Sequence, residues 1–176
     1  MNLPRALKPR TACVLAVLAL AALASSNALA KSSDRNQPMT LESANSDCNL
    51  ADTSGSCVFT GDVEIVQGTL LIRAARAEVQ RRNGDIHQVI LTGKQATMRQ
   101  EMDDGSTMNA RADRIVYEPT KELLTLTGNY HVESPRGSNS GQRMVYNMSS
   151  GQMQSGGDGS RVRTVIQPRS QSGESN

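Results

Sequence analysis

Few side chains in this sequence are suited to chemistry. Histidine, the usual general base near neutral pH, occurs twice, at His87 and His131. Neither has companions at catalytic or metal-ligand spacing, and the chain contains no HExxH, no GxSxG and no phosphate-binding glycine loop. Both read as exposed strand or loop positions. Asp103-Asp104 is the one adjacent acid pair with a possible acid–base role. It runs straight into Gly105, and Asp with Gly makes turns, so the pair reads as a turn. Asn147-Met148-Ser149 fits a glycosylation sequon, a pattern short enough to recur by chance. No catalytic residue, no metal and no cofactor is expected.

The remaining reactive groups are thiols. Cys48 and Cys57 bracket a stretch containing the turn-forming run Asp52-Thr53-Ser54-Gly55. Two cysteines flanking a hairpin loop pair readily in an oxidising compartment. Free thiols or a metal site are the alternatives, and a metal site is the weaker one because neither histidine lies near the pair.

The compartment follows from the N-terminus. Arg5, Lys8 and Arg10 precede the apolar run of residues 11–24, and Ala28-Leu29-Ala30 gives the small-x-small pattern before Lys31. This is the layout of a secretory signal peptide over residues 1–30. The run is short of the roughly 20 apolar residues a membrane span needs. Cys13 lies inside it without the lead of a lipoprotein signal. Removing the segment takes away three basic residues and no acids, so 16 basic residues face 17 acidic ones. A surface built to bind nucleic acid is therefore not expected.

The elements that carry the rest of the chain are strands. Phe59 to Val79 reads as strand, break, strand: Val63 and Ile65 share one face, Leu70, Ile72 and Ala74 share another, and Gln67-Gly68 marks the break. Met39 to Ser43 reads as a first strand with Met39 and Leu41 on one side. Asn83-Gly84 is a turn. Ala96, Met98 and Gln100 share a side opposite Thr97 and Arg99. Ile115 and Tyr117 share a face, as do Leu124, Leu126, Tyr130 and Val132, then Met144 and Tyr146. Ser134 to Gly141 reads as a polar loop, and Arg161 to Gln167 as the last strand. Residues 31–36 read as a flexible polar tail, 37–168 as one domain and 169–176 as a disordered tail.

Threonine precedes Gly61, Gly93 and Gly128, which are 32 and 35 residues apart. Each Thr-Gly is read as opening a strand-turn-strand unit, and repeats of this size mark a stacked architecture. No segment after residue 30 shows a capped 3.6-residue period. The fold class expected is all-β, two antiparallel sheets stacked as a sandwich. From pattern alone the apolar faces form an ordinary packed core.

The segments QPMTLE, FTGDVEIVQGTLLIRA, GKQATMRQ, ADRIVYE, LTGNYHVE and GSRVRTVIQP follow one another in an order that resembles the OstA-like family of periplasmic lipopolysaccharide-transport bridge proteins. The resemblance covers residues 37–168. In it Ala112-Asp113 keeps the Asp of the family's ADxxxV signature, and Arg76 is taken to stand where the first unit would carry that Asp. The family implies a slightly open β-jellyroll whose apolar interior holds the acyl chains of lipopolysaccharide. It implies as partners lipopolysaccharide, an inner-membrane-anchored transport component of the same fold, an outer-membrane lipopolysaccharide-insertion protein, and further copies of itself joined head to tail. The location implied is the periplasm.

On that reading the lipid-facing residues are Met39, Leu41, Val63, Ile65, Leu70, Ile72, Met98, Ile115, Tyr117, Leu124, Leu126, Tyr130, Met144 and Tyr146. The self-associating edges are the first and last strands. The rivals are a membrane-anchored relative, if residues 1–30 are retained, and a secreted β-solenoid enzyme acting on polysaccharide.

Overall fold

The computed structural model describes residues 30–49, 51 and 54–168. All of the expected signal segment except Ala30, and the expected tail 169–176, lie outside the described residues. Ten strands follow one another: β1 Met39–Glu42, β2 Asn45–Cys48, β3 Ser56–Gln67, β4 Leu70–Arg82, β5 Asp85–Glu101, β6 Thr107–Glu118, β7 Leu123–Ser134, β8 Gly137–Asn147, β9 Met153–Ser155 and β10 Arg163–Ile166. The fold is all-β, and its only helical turns among the described residues are two short 3-10 segments, Ser32–Asn36 and Pro119–Lys121.

All ten strands belong to one open antiparallel sheet, in the order β1-β3-β4-β5-β6-β7-β8-β10. β2 pairs with β3 beyond the end of β1, and β9 pairs with β8 beyond the end of β10. The two expected layers are the two halves of each long strand. Between the halves the register shifts in every ladder from β3 to β8: between Thr60 and Val63, Arg73 and Arg76, Thr92 and Ala96, Arg111 and Arg114, and Thr127 and Tyr130. A bulge adds residues to one strand, bends it and re-aims its side chains. Aligned across six strands, bulges fold the sheet over on itself.

The inward faces of both halves meet in one apolar cluster. Half one carries the turns at Gly68-Thr69 and Pro135-Arg136 and contributes Ile65, Ile72, Met98 and Ala110, among others. Half two carries the turn at Asn83-Gly84 and contributes Val79, Leu91, Ile115 and Leu126, among others. With no Trp and a single half-buried Phe59, the interior is filled by aliphatic side chains, Met and Tyr.

The Thr-Gly repeat has a different place from the one expected. Thr60-Gly61, Thr92-Gly93 and Thr127-Gly128 open no strand; they lie mid-strand, on the bulge line. Gly61 and Asp62 have φ of 81° and 47°, and Gly128 and Asn129 have 79° and 45°. The same left-handed pair is thus used twice. A Cβ would meet Ala44 Cβ at 2.8 Å from Gly61, Ala75 N at 3.2 Å from Gly93 and Asp113 Cβ at 2.9 Å from Gly128. Glycine recurs there because a neighbouring segment crowds the position, too closely for a side chain at Gly61 and Gly128 and tightly at Gly93. It follows that Ala75, facing Gly93, occupies the place that Asp113 holds opposite Gly128. Arg76 instead shares a cross-strand row with Arg114, through Thr92.

Three segments also depart from expectation. Residues 32–36 form a 3-10 helix whose Asp34 is buried against Gly68, so the polar tail is anchored. Ser134 to Gly141 is a hairpin, since β8 starts at Gly137. Its polar residues sit in a strand because β7 and β10 satisfy the backbone on both sides. The last strand is shorter than Arg161 to Gln167, and β9 precedes it.

Candidate functional site

The structure brings all fourteen apolar residues singled out above to the interior. Val63, Ile65, Leu70, Ile72, Met98, Ile115, Tyr117, Leu124, Leu126, Tyr130, Met144 and Tyr146 are buried, and Met39 and Leu41 pack half-buried against them at one edge. Cross-strand pairs lay these side chains in rows from one edge toward the other. Leu41, Ile65, Ile72, Met98, Ala110 and Val132 form one row, and Leu91, Ile115, Leu126 and Met144 another.

Sequence reasoning missed Ala77, Val79, Val89, Leu91, Met108 and Ala112, which are buried with them. The signal was present on each side of the bulge line. In β4 the inward parity changes from Leu70, Ile72 and Ala74 to Ala77 and Val79, and alternation carried across the bulge points to the wrong face. Val116 is the exception, an outward residue that is nonetheless buried.

The halves are clasped at two points. The Tyr117 hydroxyl in half two donates to Gln67 Oε1 in half one at 3.1 Å. Asn139 Oδ1 in half one accepts from Ser155 Oγ of β9 at 3.0 Å and from the Tyr130 hydroxyl. Asn139 Nδ2 also donates to Thr164 Oγ1 of β10 at 2.8 Å, so one amide ties both strands of that edge. At the other end, buried Asp34 accepts from Thr69 Oγ1 and, at 3.5 Å, from Gln100 Nε2. Lys31 Nζ reaches Glu101 at 2.7 Å, and that bond holds the ammonium above the ordinary lysine range.

Each rim consists of two short strands. On one side β1 and β2 lie on β3, with Cys48 directly opposite Cys57 and their sulfurs bonded. On the other, β9 and β10 lie on β8. The exposed large apolar residues Met153, Val162, Val165 and Ile166 all belong to this second rim. Its charges are Arg161, Arg163 and Asp158, whereas β1 and β2 carry Glu42 and Asp47.

The polar candidates have local roles. Asp104 takes the N–H of Ser106 at 3.0 Å and Arg136 at 3.0 Å, stabilising the turn next to a neighbouring hairpin. Its carboxyl is held below the ordinary aspartate range, first by the Ser106 hydroxyl and then by that N–H and the Arg136 charge. Asn147 Oδ1 caps the following turn through the N–H groups of Ser149 and Ser150. His131 Nε2 lies 3.6 Å from Glu133. Among the described residues no group of His, Cys, Asp or Glu could hold a metal ion, and no helix is long and apolar enough to cross a membrane.

Residues 41–152 match the family model described as LptA/(LptD N-terminal domain) LPS transport protein. The chain is 35% identical over 157 residues to the lipopolysaccharide export system protein LptA of Escherichia coli K12, covering 86% of this chain and 83% of that protein. It is 32% identical over 155 residues to LptA of Haemophilus influenzae, covering 86% and 89%. The crystal structure of LptH, the LptA-homologous periplasmic component of the lipopolysaccharide transport device of Pseudomonas aeruginosa, superimposes with a TM-score of 0.70 at 24% identity, over 77% of this chain and 99% of LptH. These relatives are lipopolysaccharide export and transport proteins. Together with the open, bulge-folded sheet, these matches establish that the chain belongs to the LptA and LptD N-terminal domain family of lipopolysaccharide transport proteins.

Proposed function

We propose that this protein is a non-enzymatic periplasmic carrier of lipopolysaccharide, with the acyl chains travelling along the apolar interior between the two halves of the sheet. One observation carries the reading: a continuous apolar interior runs toward rims made only of short strands. Each methylene left in water costs about 0.8 kcal/mol, so a long acyl chain needs a covered path across an aqueous space. Eight strands at about 4.8 Å a step make a wall roughly 34 Å long. The interior side chains are packed, so an entering chain must part the halves. Clasps as slight as Tyr117–Gln67 leave that motion accessible.

The rims explain how one carrier could become a bridge. Terminal strands expose unpaired N–H and C=O groups that recruit another strand. Here one rim is acidic and the other is basic with exposed apolar residues, which favours unlike rims meeting. Such a head-to-tail contact does not close on itself and extends the interior from copy to copy. The same edge pairing would join the ends to an inner-membrane-anchored component of like fold and to an outer-membrane insertion protein.

The test is photo-crosslinking from single positions in cells. Crosslinks to lipopolysaccharide are expected from Met98, Ile115 and Leu126, and not from the outward Thr92 and Thr127. Crosslinks from the threonines alone would sink the reading.

A further inference from the structure

The outer face of half one holds a second site. Arg73 of β4, Thr97 and Arg99 of β5, Asn109 and Arg111 of β6 and His131 and Glu133 of β7 border a cleft of about 490 Å³, with Leu71 as its apolar wall. The register sets the arrangement. Thr97 pairs with Arg73 on one side and Arg111 on the other, and Arg99, next on the same face, pairs with Leu71 and Asn109. Three guanidinium groups therefore surround one hydroxyl and one amide.

The charges are unevenly answered. Arg73 Nε donates to Glu64 at 2.8 Å, and Glu133, across the ladder from Asn109 and 3.6 Å from His131 Nε2, is the carboxylate that lines the cleft. The side chains of Arg99 and Arg111 make no hydrogen bond or ion pair among the described residues. Three arginines against Glu64 and Glu133 leave this face net positive, with Arg99 and Arg111 the cations not held by a carboxylate. A guanidinium fork matches two phosphate oxygens at once. The cleft has the size of a small-molecule site and far exceeds one phosphate ion, while Leu71 and Asn109 suit a sugar ring beside it.

We infer that this cleft binds a phosphate monoester carried on a saccharide, with Arg99 and Arg111 on the phosphate and Thr97 and Asn109 as neutral donors. The site lies on the opposite face of the sheet from the interior and does not depend on acyl chains being carried there. Two sources share this chemistry, a free sugar phosphate and the phosphorylated headgroup of a glycolipid.

The test uses the processed protein in three forms: unaltered, Arg99→Gln with Arg111→Gln, and Arg76→Gln with Arg114→Gln. The last removes the same charge from the other half of the same face. Backbone amides are followed by NMR during titration with glucose 1-phosphate and with glucose. Millimolar glucose 1-phosphate is expected to move Thr97, Arg99, Asn109 and Arg111, glucose is not, and the cleft variant is expected to weaken binding at least tenfold while the control variant keeps it. Equal weakening in both variants would reduce the site to diffuse charge and overturn it, as would no movement at those amides. Lipopolysaccharide with and without its phosphates then separates the sources. Loss of affinity on dephosphorylation in the unaltered protein but not in the cleft variant assigns the headgroup; no such difference, with glucose 1-phosphate still bound, assigns the free sugar phosphate. Crosslinking from Met98 and Ile115 is unaffected by either result.

Discussion

The Tyr117 hydroxyl and the Gln67 side-chain oxygen, 50 residues apart in sequence, meet at 3.1 Å and join the two halves of one folded sheet. The rest of the Tyr117 ring is buried apolar surface, so its polar tip is the part that distinguishes clasp from core. Tyr117→Phe keeps the ring and removes the donor. It should lower stability by about 1 kcal/mol, the usual net value of one hydrogen bond, in urea unfolding. If the clasp also limits opening, crosslinking of lipopolysaccharide from Ile115 should rise in the same variant.

Gly68 shows how a turn glycine can hold a distant segment. Its φ is 60°, and a Cβ there would meet the Asp34 side chain and come within 2.9 Å of the Asp34 Cα. Gly84 has a φ of 89° with nothing within 4 Å. Gly84→Ala should therefore cost only the conformational term, about 1 kcal/mol. Gly68→Ala must also displace Asp34 and should cost about 2–3 kcal/mol. Thermal melts of the two variants side by side check the difference, and equal losses would mean that Ser32–Asn36 contributes nothing.

Alternation is a local signal, and it read correctly within each half. Val63 and Ile65, Ala96 and Met98, Ile115 and Tyr117 all face inward as their spacing implied. What the alternation could not carry was parity across the bulges of β4, β5 and β6, whereas in β7 it survived from Leu124 and Leu126 to Tyr130 and Val132. Ala77 and Val79 are as apolar as Leu70 and Ile72, but two residues at Ala74-Ala75 shift the register and no local rule marks them. Thr-Gly was visible three times in the sequence, yet its meaning is tertiary. Only the neighbouring segment, with Ala44, Ala75 or Asp113 in contact, explains why glycine stands there. The cleft beside Thr97 was equally hidden, since Arg73, Arg99 and Arg111 come together only through the ladder.

Asp104 gives a pH dependence with a defined sign. Its folded pKa is depressed, so its contribution is fully present above the ordinary aspartate value of about 3.9 and is lost as pH falls through the lower folded value. Solvent screens the Arg136 contact, so the effect is at most about 1 kcal/mol. The stability difference between the unaltered protein and Asp104→Asn should be constant from neutral pH down to about 4 and shrink below it. Denaturant unfolding at several pH values measures this, and a difference that grows in acid would contradict it.

The Cys48–Cys57 bond closes a nine-residue separation and fixes β2 to β3. A loop of this size stabilises by about 2–3 kcal/mol through the unfolded chain. The double variant Cys48→Ser with Cys57→Ser should melt lower by a corresponding amount. Reductant should lower the melting temperature of the unaltered protein and leave the double variant unchanged. Releasing β2 also bares the β3 edge from Cys57 to Thr60, so the variant should aggregate more readily when concentrated.

Ile166 tests the rims directly. Gln167 N donates back to Arg136 O at 3.0 Å. Successive strand residues point their backbone groups to opposite sides, so the Ile166 N–H faces away from β8. The Ile166 side chain is 80% exposed, the most open large apolar group described. Ile166→Pro removes an outward donor and an apolar contact while sparing the ladder to β8, a substitution that edge strands tolerate. The melting temperature should change little. Head-to-tail association, followed by light scattering across protein concentration, should weaken at least tenfold. Because unlike rims carry opposite charge, salt should weaken assembly of the unaltered protein too. A proline variant that assembles as well as the unaltered protein would move the contact elsewhere and leave β10 a simple end strand.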